Sequence, residues 1–441
     1  MEGPLSTAEH KRRAWGRLSG WLKILGPGLI SGAADNDPSG IATYSQTGAQ
    51  FGYGQLWTAL YQTPLLIAVQ EACGRIGAVT GKGLAGVIKQ YYPRPALLSV
   101  VVLVVIANSI NIGADIGAVA ASAKLVVDVP FALLAVLTAV VVMGLEVFLT
   151  YQTYARGLKW LTLALLAYPA TALLTPEPWG KILAATFIPH IEFSFAFLFI
   201  IVGVLGTTIS PYLFFWQASQ EVEEELEHHI HSDSVGRPRL PQGYIRNIRI
   251  DTAIGMVASS LAQWFIIMTT GTVLFAHGVT NIATAADAAK ALEPLVRSFP
   301  NSGQVAKDLF AVGVVGLGLL GIPVMAGSSS YAISEAMGWK EGLSRKLSDA
   351  RGFYGVIIVS TLVGLGLNFI GVDPIKALVF AAVFNGVASV PLLFVIGRIN
   401  GSTKILGAKR GGVLSRTLVW VTFAVMAVGS LALAYALVST K

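Results

Sequence analysis

The stretch Gly32-Ala33-Ala34-Asp35-Asn36-Asp37-Pro38-Ser39-Gly40 sets two carboxylates inside an otherwise largely apolar segment, Leu22 to Tyr53. A charge in the middle of a membrane-length helix costs several kcal/mol or more, so it is normally kept only for function. Pro38 lacks a backbone N–H and its ring clashes with the preceding turn, while Gly40 tolerates open backbone. The segment therefore predicts a helix broken at mid-membrane, with a carboxylate and freed carbonyls at the break. Many transporters build a cation site in this way.

Working outward, hydrophobic residues make up 54% of the 441 and charged residues only 12%, with mean hydropathy +0.66. A soluble domain of this size would carry far more charge; an all-α polytopic membrane protein would not. We expect eleven apolar spans, at about 22–50, 54–73, 96–123, 130–150, 157–174, 189–222, 250–275, 309–335, 353–371, 375–397 and 415–438. Residues 1–21 are basic (Lys11, Arg12, Arg13, Arg17) without an apolar core and are expected to form a cytoplasmic tail rather than a signal peptide. With the N-terminus inside, only seven of the 31 Lys and Arg fall outside: Lys124, Lys181, Lys290, Arg297, Lys307, Lys376 and Lys441. This asymmetry is the positive-inside rule. It explains the net charge of +7 as topology rather than a nucleic-acid footprint. The single cysteine, Cys73, excludes an intramolecular disulfide.

The sixth span carries its own interruption, Gly206-Thr207-Thr208-Ile209-Ser210-Pro211. The two breaks fall in the first and sixth spans, so each opens a group of five. Five plus five, inverted because five is odd, is the layout of LeuT-type transporters. The expected organisation is one transmembrane domain, 22–438, with repeat one at about 22–174, repeat two at about 189–397 and an extra helix at about 415–438. Of the longer connections, 276–308 is expected to carry a short surface helix, Thr284 to Glu293. The acidic and His-rich run from Glu221 to His231 reads as a solvated helix end, with ion concentration at the inner mouth as the sharper alternative.

Four short motifs resemble the Nramp family of divalent-metal transporters, over roughly residues 22–397. They are Gly26-Pro27-Gly28 opening the first span, the Asp37-Pro38 break, Gly74-Arg75-Ile76-Gly77-Ala78-Val79-Thr80-Gly81 closing the second span, and Ala114-Asp115-Ile116-Gly117 in the third. The chain departs from the family's pattern at the site itself. The break asparagine is replaced by Gly40, the sixth-span methionine by Ser210, and the histidine after the proline by Tyr212. A second histidine becomes Gln217, the third-span glutamate becomes Ala118, and the arginine pair of the ninth span is reduced to Arg351 at its edge. These losses remove most of the groups to which the resemblance would assign a coupled proton. The pattern is similar to that of the prokaryotic Nramp-related magnesium transporters, a branch with a changed site and no proton coupling.

The chemistry agrees with that resemblance. Mg²⁺ is a hard ion that takes oxygen ligands and dehydrates reluctantly, whereas thioether sulfur selects softer metals. The expected ligands are the Asp37 carboxylate, carbonyls near Ala34 and Thr207, and the hydroxyls of Thr207 and Ser210, with Gly40 leaving room for water. The bland counterparts are that Asp37 bonds freed N–H groups of the broken sixth helix and that Thr207 and Ser210 only satisfy backbone. Asp35 and Tyr212 are placed at the vestibule or path. Asp115, Asn111 and Asn108 share a helix face, as a polar lining or as interhelical hydrogen bonds. Asn385 is a further candidate for the site or vestibule. Glu71 and Arg75 read as an i,i+4 pair.

The expected function is alternating-access transport of Mg²⁺, with Mn²⁺ as a second candidate ion, in a prokaryotic inner membrane with the C-terminus external. The alternatives are a proton-coupled Mn²⁺/Fe²⁺ symporter, a sodium-coupled organic solute carrier, and a membrane sensor or channel. No nucleophile–base pair or catalytic metal motif points to an enzyme. The expected partners are the ion and the bilayer, not nucleic acid. No cofactor is expected, and a monomer is the working assembly.

Overall fold

The computed structural model describes residues 26–149, 161–228, 230 and 238–439. The expected tail, the first turn of the fifth span, His229 and His231 lie outside them. In chain order the first span is α1 (Pro27–Ala34) and α2 (Pro38–Phe51), the second α3 (Trp57–Thr80). A short α4 (Leu84–Tyr91) precedes α5 (Arg94–Ala123) and α6 (Phe131–Phe148). The fifth span follows as a 3₁₀ turn (Leu161–Leu166) and α7 (Ala167–Leu174), then a connecting α8 (Trp179–Phe187). The sixth is split into α9 (Phe195–Thr208) and α10 (Pro211–Glu227). Then come α11 (Tyr244–Val273), a small α12 (Ala285–Ala289), α13 (Ser302–Met337), α14 (Arg351–Leu367), α15 (Pro374–Asn400), α16 (Thr403–Leu406) and α17 (Val413–Ser439). Every expected apolar span holds helix, and no strand occurs among the described residues. Among the described residues seven stretches, counting α9 and α10 as one, are long and apolar enough to cross a membrane.

The two breaks lie where the prolines require. Pro38 opens α2, and Asp37 is its N-cap, accepting the Gly40 N–H at 2.8 Å. Pro211 opens α10 after Ser210, which is extended at φ −94°, ψ 139°. Ser210 does not cap α10. Its hydroxyl turns back and donates to the Gly206 carbonyl at 2.8 Å and the Thr207 carbonyl at 2.5 Å.

One face of α11 positions the whole first span. Asp251, Gly255, Ser259 and Gln263 recur at intervals of four and so form one stripe. At its lower end, the Asp251 carboxylate accepts the N–H groups of Gly26 (2.9 Å), Gly28 (2.6 Å) and Leu29 (3.2 Å). These are orphan donors of the first turn of α1, and a carboxylate there also meets the positive end of the helix dipole. Next, Gly32 and Gly255 cross with no room for a Cβ between the backbones. Ser259 then meets Asp35 and Asn36, and Gln263 bonds Gln62 and Thr58 of the second span.

That latch predicts a measurable result. Cys73 is the sole cysteine and is buried, so thiol labelling of a Ser31→Cys protein starts from a low background. Adding Asp251→Ala leaves three N–H groups without their acceptor, and the labelling rate at position 31, buried in the closed structure, should rise several-fold. An unchanged rate would show that the contacts of α1 other than the Asp251 latch hold it in place.

Two expectations are corrected. The short helix expected in the 276–308 connection is present as α12 (Ala285–Ala289), continued by a 3₁₀ stretch (Lys290–Val296), but it is not a free-standing surface element. Ile282, Ala285, Ala288, Ala289, Leu292 and Val296 are buried in the main apolar cluster. Gln46 of α2 clasps the connection, accepting the Ile282 N–H at 2.9 Å and donating to the Thr280 carbonyl at 3.2 Å. The acidic run is not a solvated helix end either. Glu221, Glu223 and Glu225 are buried, while Glu227 and His228 are exposed. Glu223 accepts the N–H groups of Leu343 (2.6 Å) and Ser344 (3.1 Å) and the Tyr331 hydroxyl. Glu223 is thus aimed at backbone donors of the α13–α14 connection, which sequence separation hides.

Candidate cation site at the helix breaks

The residues of the two breaks meet in a closed centre. Ala34, Asp35, Asp37, Thr207, Ser210 and Tyr212 are each 1% exposed or less. Asp37 Oδ1 accepts the Ser39 hydroxyl at 2.6 Å and the Gly40 N–H at 2.8 Å. Because Ser39 spends its proton on Asp37, the Thr207 hydroxyl 3.1 Å away is the donor to Ser39. The hydrogens of Thr207 and Ser210 are thus both committed, and their oxygen lone pairs remain for a cation. The Tyr212 hydroxyl lies 3.2 Å from both Asp37 Oδ2 and the Ala34 carbonyl, which ties α10 to the end of α1.

Three of the expected ligands therefore stand together: the Asp37 carboxylate, the Ala34 carbonyl, and the Thr207–Ser210 oxygens. Gly40 takes part through its N–H, and a side chain there would stand 3.3 Å from Tyr44 and 3.5 Å from Thr207 Oγ1. Tyr212, expected at the vestibule or path, stands beside Asp37, its hydroxyl reaching Oδ2. Asp35 is walled in against Ser259 of α11 and is fully buried.

The polar face of α5 divides. Asn108 donates to the Met325 carbonyl at 3.0 Å and to Ser329 at 2.9 Å, and Asn111 donates to Asn385 of α15 at 2.8 Å. These are interhelical bonds, and they engage the Asn385 Oδ1 while its Nδ2 stays buried without a partner among the described residues. Asp115 is different, because both its oxygens are buried without a hydrogen-bond partner. A Cβ built at Gly321 of α13 would lie 3.2 Å from the Asp37 Cβ and 3.8 Å from Asp115 Oδ2, so the two carboxylates flank that glycine. The end of Met325 lies 3.9 Å from the same point. Glu71 and Arg75 do form the i,i+4 pair, with Arg249 joining at 3.3 Å.

Sequence reasoning missed Ser39, Ser259 and Met325. Ser39 and Ser259 had a signal, as hydroxyls at or facing a break within apolar spans; Met325 had none, being an ordinary apolar residue of a long helix. No group of three His, Cys, Asp or Glu side chains that could hold a metal occurs among the described residues. A cation at the breaks would meet carboxylate, carbonyls, hydroxyls and water.

Two broken helices packed around a buried, oxygen-lined centre define a membrane transporter of the LeuT fold. The chain resembles the Eremococcus coleocola manganese transporter with a TM-score of 0.73 at 15% identity, over 98% of this chain and 88% of that one. Its TM-score with Mhp1, a nucleobase-cation-symport-1 family transporter in a closed conformation, is 0.57 at 14% identity, covering 93% and 92%. The chain belongs to the Nramp (natural resistance-associated macrophage protein-like) family, whose model matches residues 28–436. Two relatives are each named divalent metal cation transporter MntH. That of Chromohalobacter salexigens is 28% identical over 411 residues, 88% of this chain and 85% of the relative. That of Klebsiella pneumoniae (strain 342) is 28% identical over 307 residues, 68% of each.

Proposed function

We propose that this chain is an alternating-access carrier of divalent cations, with Mg²⁺ the preferred ion and Mn²⁺ a second substrate, working without a coupled proton. The divalent class follows from the family and its named relatives. The preference rests on one observation: at the breaks themselves Asp37, Ala34, Thr207 and Ser210 offer only oxygen. A hard ion that keeps part of its water shell suits such a set. An inside-negative potential of 100 mV contributes about 2.3 kcal/mol per charge, hence about 4.6 kcal/mol for a divalent ion. That drives uptake without proton influx. We place residues 22–438 in one domain of two inverted repeats and an extra helix, in a prokaryotic inner membrane with the N-terminus cytoplasmic.

A second reading, the proton-coupled Mn²⁺/Fe²⁺ symporter, has two observations in its favour. Asp115 is buried without a partner and could carry a proton with Asp37. The Met325 side-chain end lies 3.9 Å from the point at Gly321 that both carboxylates flank. Proteoliposomes loaded with a Mg²⁺-sensitive dye, with a pH dye in a parallel batch, separate the two. The proposal expects Mg²⁺ uptake at constant internal pH. Mn²⁺-driven acidification with no Mg²⁺ uptake would establish the second reading instead.

A further inference from the structure

Asp35 closes α1 fully buried, and no ion pair among the described residues reaches it. Its Oδ2 accepts the hydroxyl of Ser259 on α11. The same Ser259 oxygen accepts from Asn36 Nδ2 at 3.0 Å. Ser259 thus gathers the ends of two adjacent side chains, and its proton is committed to Asp35. What remains is an unpartnered oxygen on each, Asp35 Oδ1 and Asn36 Oδ1, both buried.

Asp35 Oδ1 and Asn36 Oδ1 receive a hydrogen bond from no donor among the described residues. A buried carboxylate left bare is costly. A cation satisfies the charge and both free oxygens together.

We propose that Asp35 and Asn36, held by Ser259, form a second cation subsite on the α11 side of the break, which shares one hydrated divalent ion with Asp37. Asp35 thereby moves from the path into the site. Asp35 and Asp37 are two residues apart at the same break, and in the ion-bound state their carboxylates supply the two negative charges that balance one divalent ion. An ion that retains several waters spans both carboxylates without touching each directly. The Asp35 carboxylate then makes the centre selective for a double charge, and Asn36 offers its carbonyl oxygen to the water shell.

This inference rests on the divalent-cation reading above. The test is the concentration dependence of Mg²⁺ and Mn²⁺ uptake for wild type, Asp35→Asn, Asp35→Glu and Ser259→Ala, with the ion-free melting temperature of each. Asp35→Asn keeps shape and removes charge, so KM should rise at least tenfold while the melting temperature holds; Asp35→Glu should recover part of the loss. Ser259→Ala keeps the charge and frees its orientation, so KM should rise a few-fold. Wild-type KM in Asp35→Asn, or a loss confined to kcat, overturns the subsite and leaves the carrier intact. If Asp35→Asn fails to fold, an unchanged KM in Ser259→Ala overturns it. A wild type that moves neither ion would instead remove the divalent-cation reading, and the subsite with it.

Discussion

Asp37→Asn should reduce ion uptake in proteoliposomes to the level of protein-free vesicles. Asp37 is the carboxylate on which the two breaks converge: it caps α2, accepts the Ser39 hydroxyl, and lies within reach of Tyr212. Removing one member of a buried charge pair costs about 3–5 kcal/mol, or more than about a hundredfold in ion affinity. Asparagine is the informative replacement because it caps a helix about as well as aspartate, so the break should persist while the charge is lost. A mutant that folds with the wild-type melting temperature but keeps more than a tenth of its uptake would remove Asp37 from the site.

The second large effect concerns which ion is carried. Gly40→Asn with Ser210→Met restores the amide and thioether that the family pattern carries at these positions. At position 40 a Cβ meets Tyr44 at 3.3 Å and the Asp35 carbonyl at 3.4 Å, so the Tyr44 ring gives by a few tenths of an ångström to admit it. At position 210 the change removes a hydroxyl that occupies the Gly206 and Thr207 carbonyls, and it introduces a soft ligand. The ratio of Mn²⁺ to Mg²⁺ uptake should then rise by about tenfold or more, since thioether sulfur favours the softer metal and the added volume displaces water. An unaltered ratio would mean that selectivity is set elsewhere, with Met325 the first residue to examine.

Much of this was legible because its causes are local. Pro38 and Pro211 cannot continue a helix whatever surrounds them, so both breaks stand at the expected residues. The proposed ligands Asp37, Thr207 and Ser210 could be named because they sit beside those prolines. The i,i+4 pair of Glu71 and Arg75 is equally a matter of helix period.

Other residues show where local reasoning stops. Asp251, Gly255, Ser259 and Gln263 form a visible stripe, but nothing in its spacing says that it faces α1 rather than another helix. Glu223 reads as a surface charge until the backbone of Leu343 and Ser344 is brought against it. Asn111 and Asp115 share one helix face and have opposite fates. One is paired with Asn385 across the bundle, and the other is left with two bare oxygens.

The sequence by itself determined that the chain is a membrane protein with two interrupted spans, because hydropathy and proline chemistry act residue by residue. It also determined which oxygens stand at the breaks. Only the tertiary structure decided which of them keep lone pairs free, which carboxylates lie together, and what holds α1 in place. Those outcomes depend on donors more than 150 residues away in sequence, such as Thr207 for Ser39 and Ser259 for Asp35. A hydrogen bond is settled by the nearest partner in space, and packing alone supplies it.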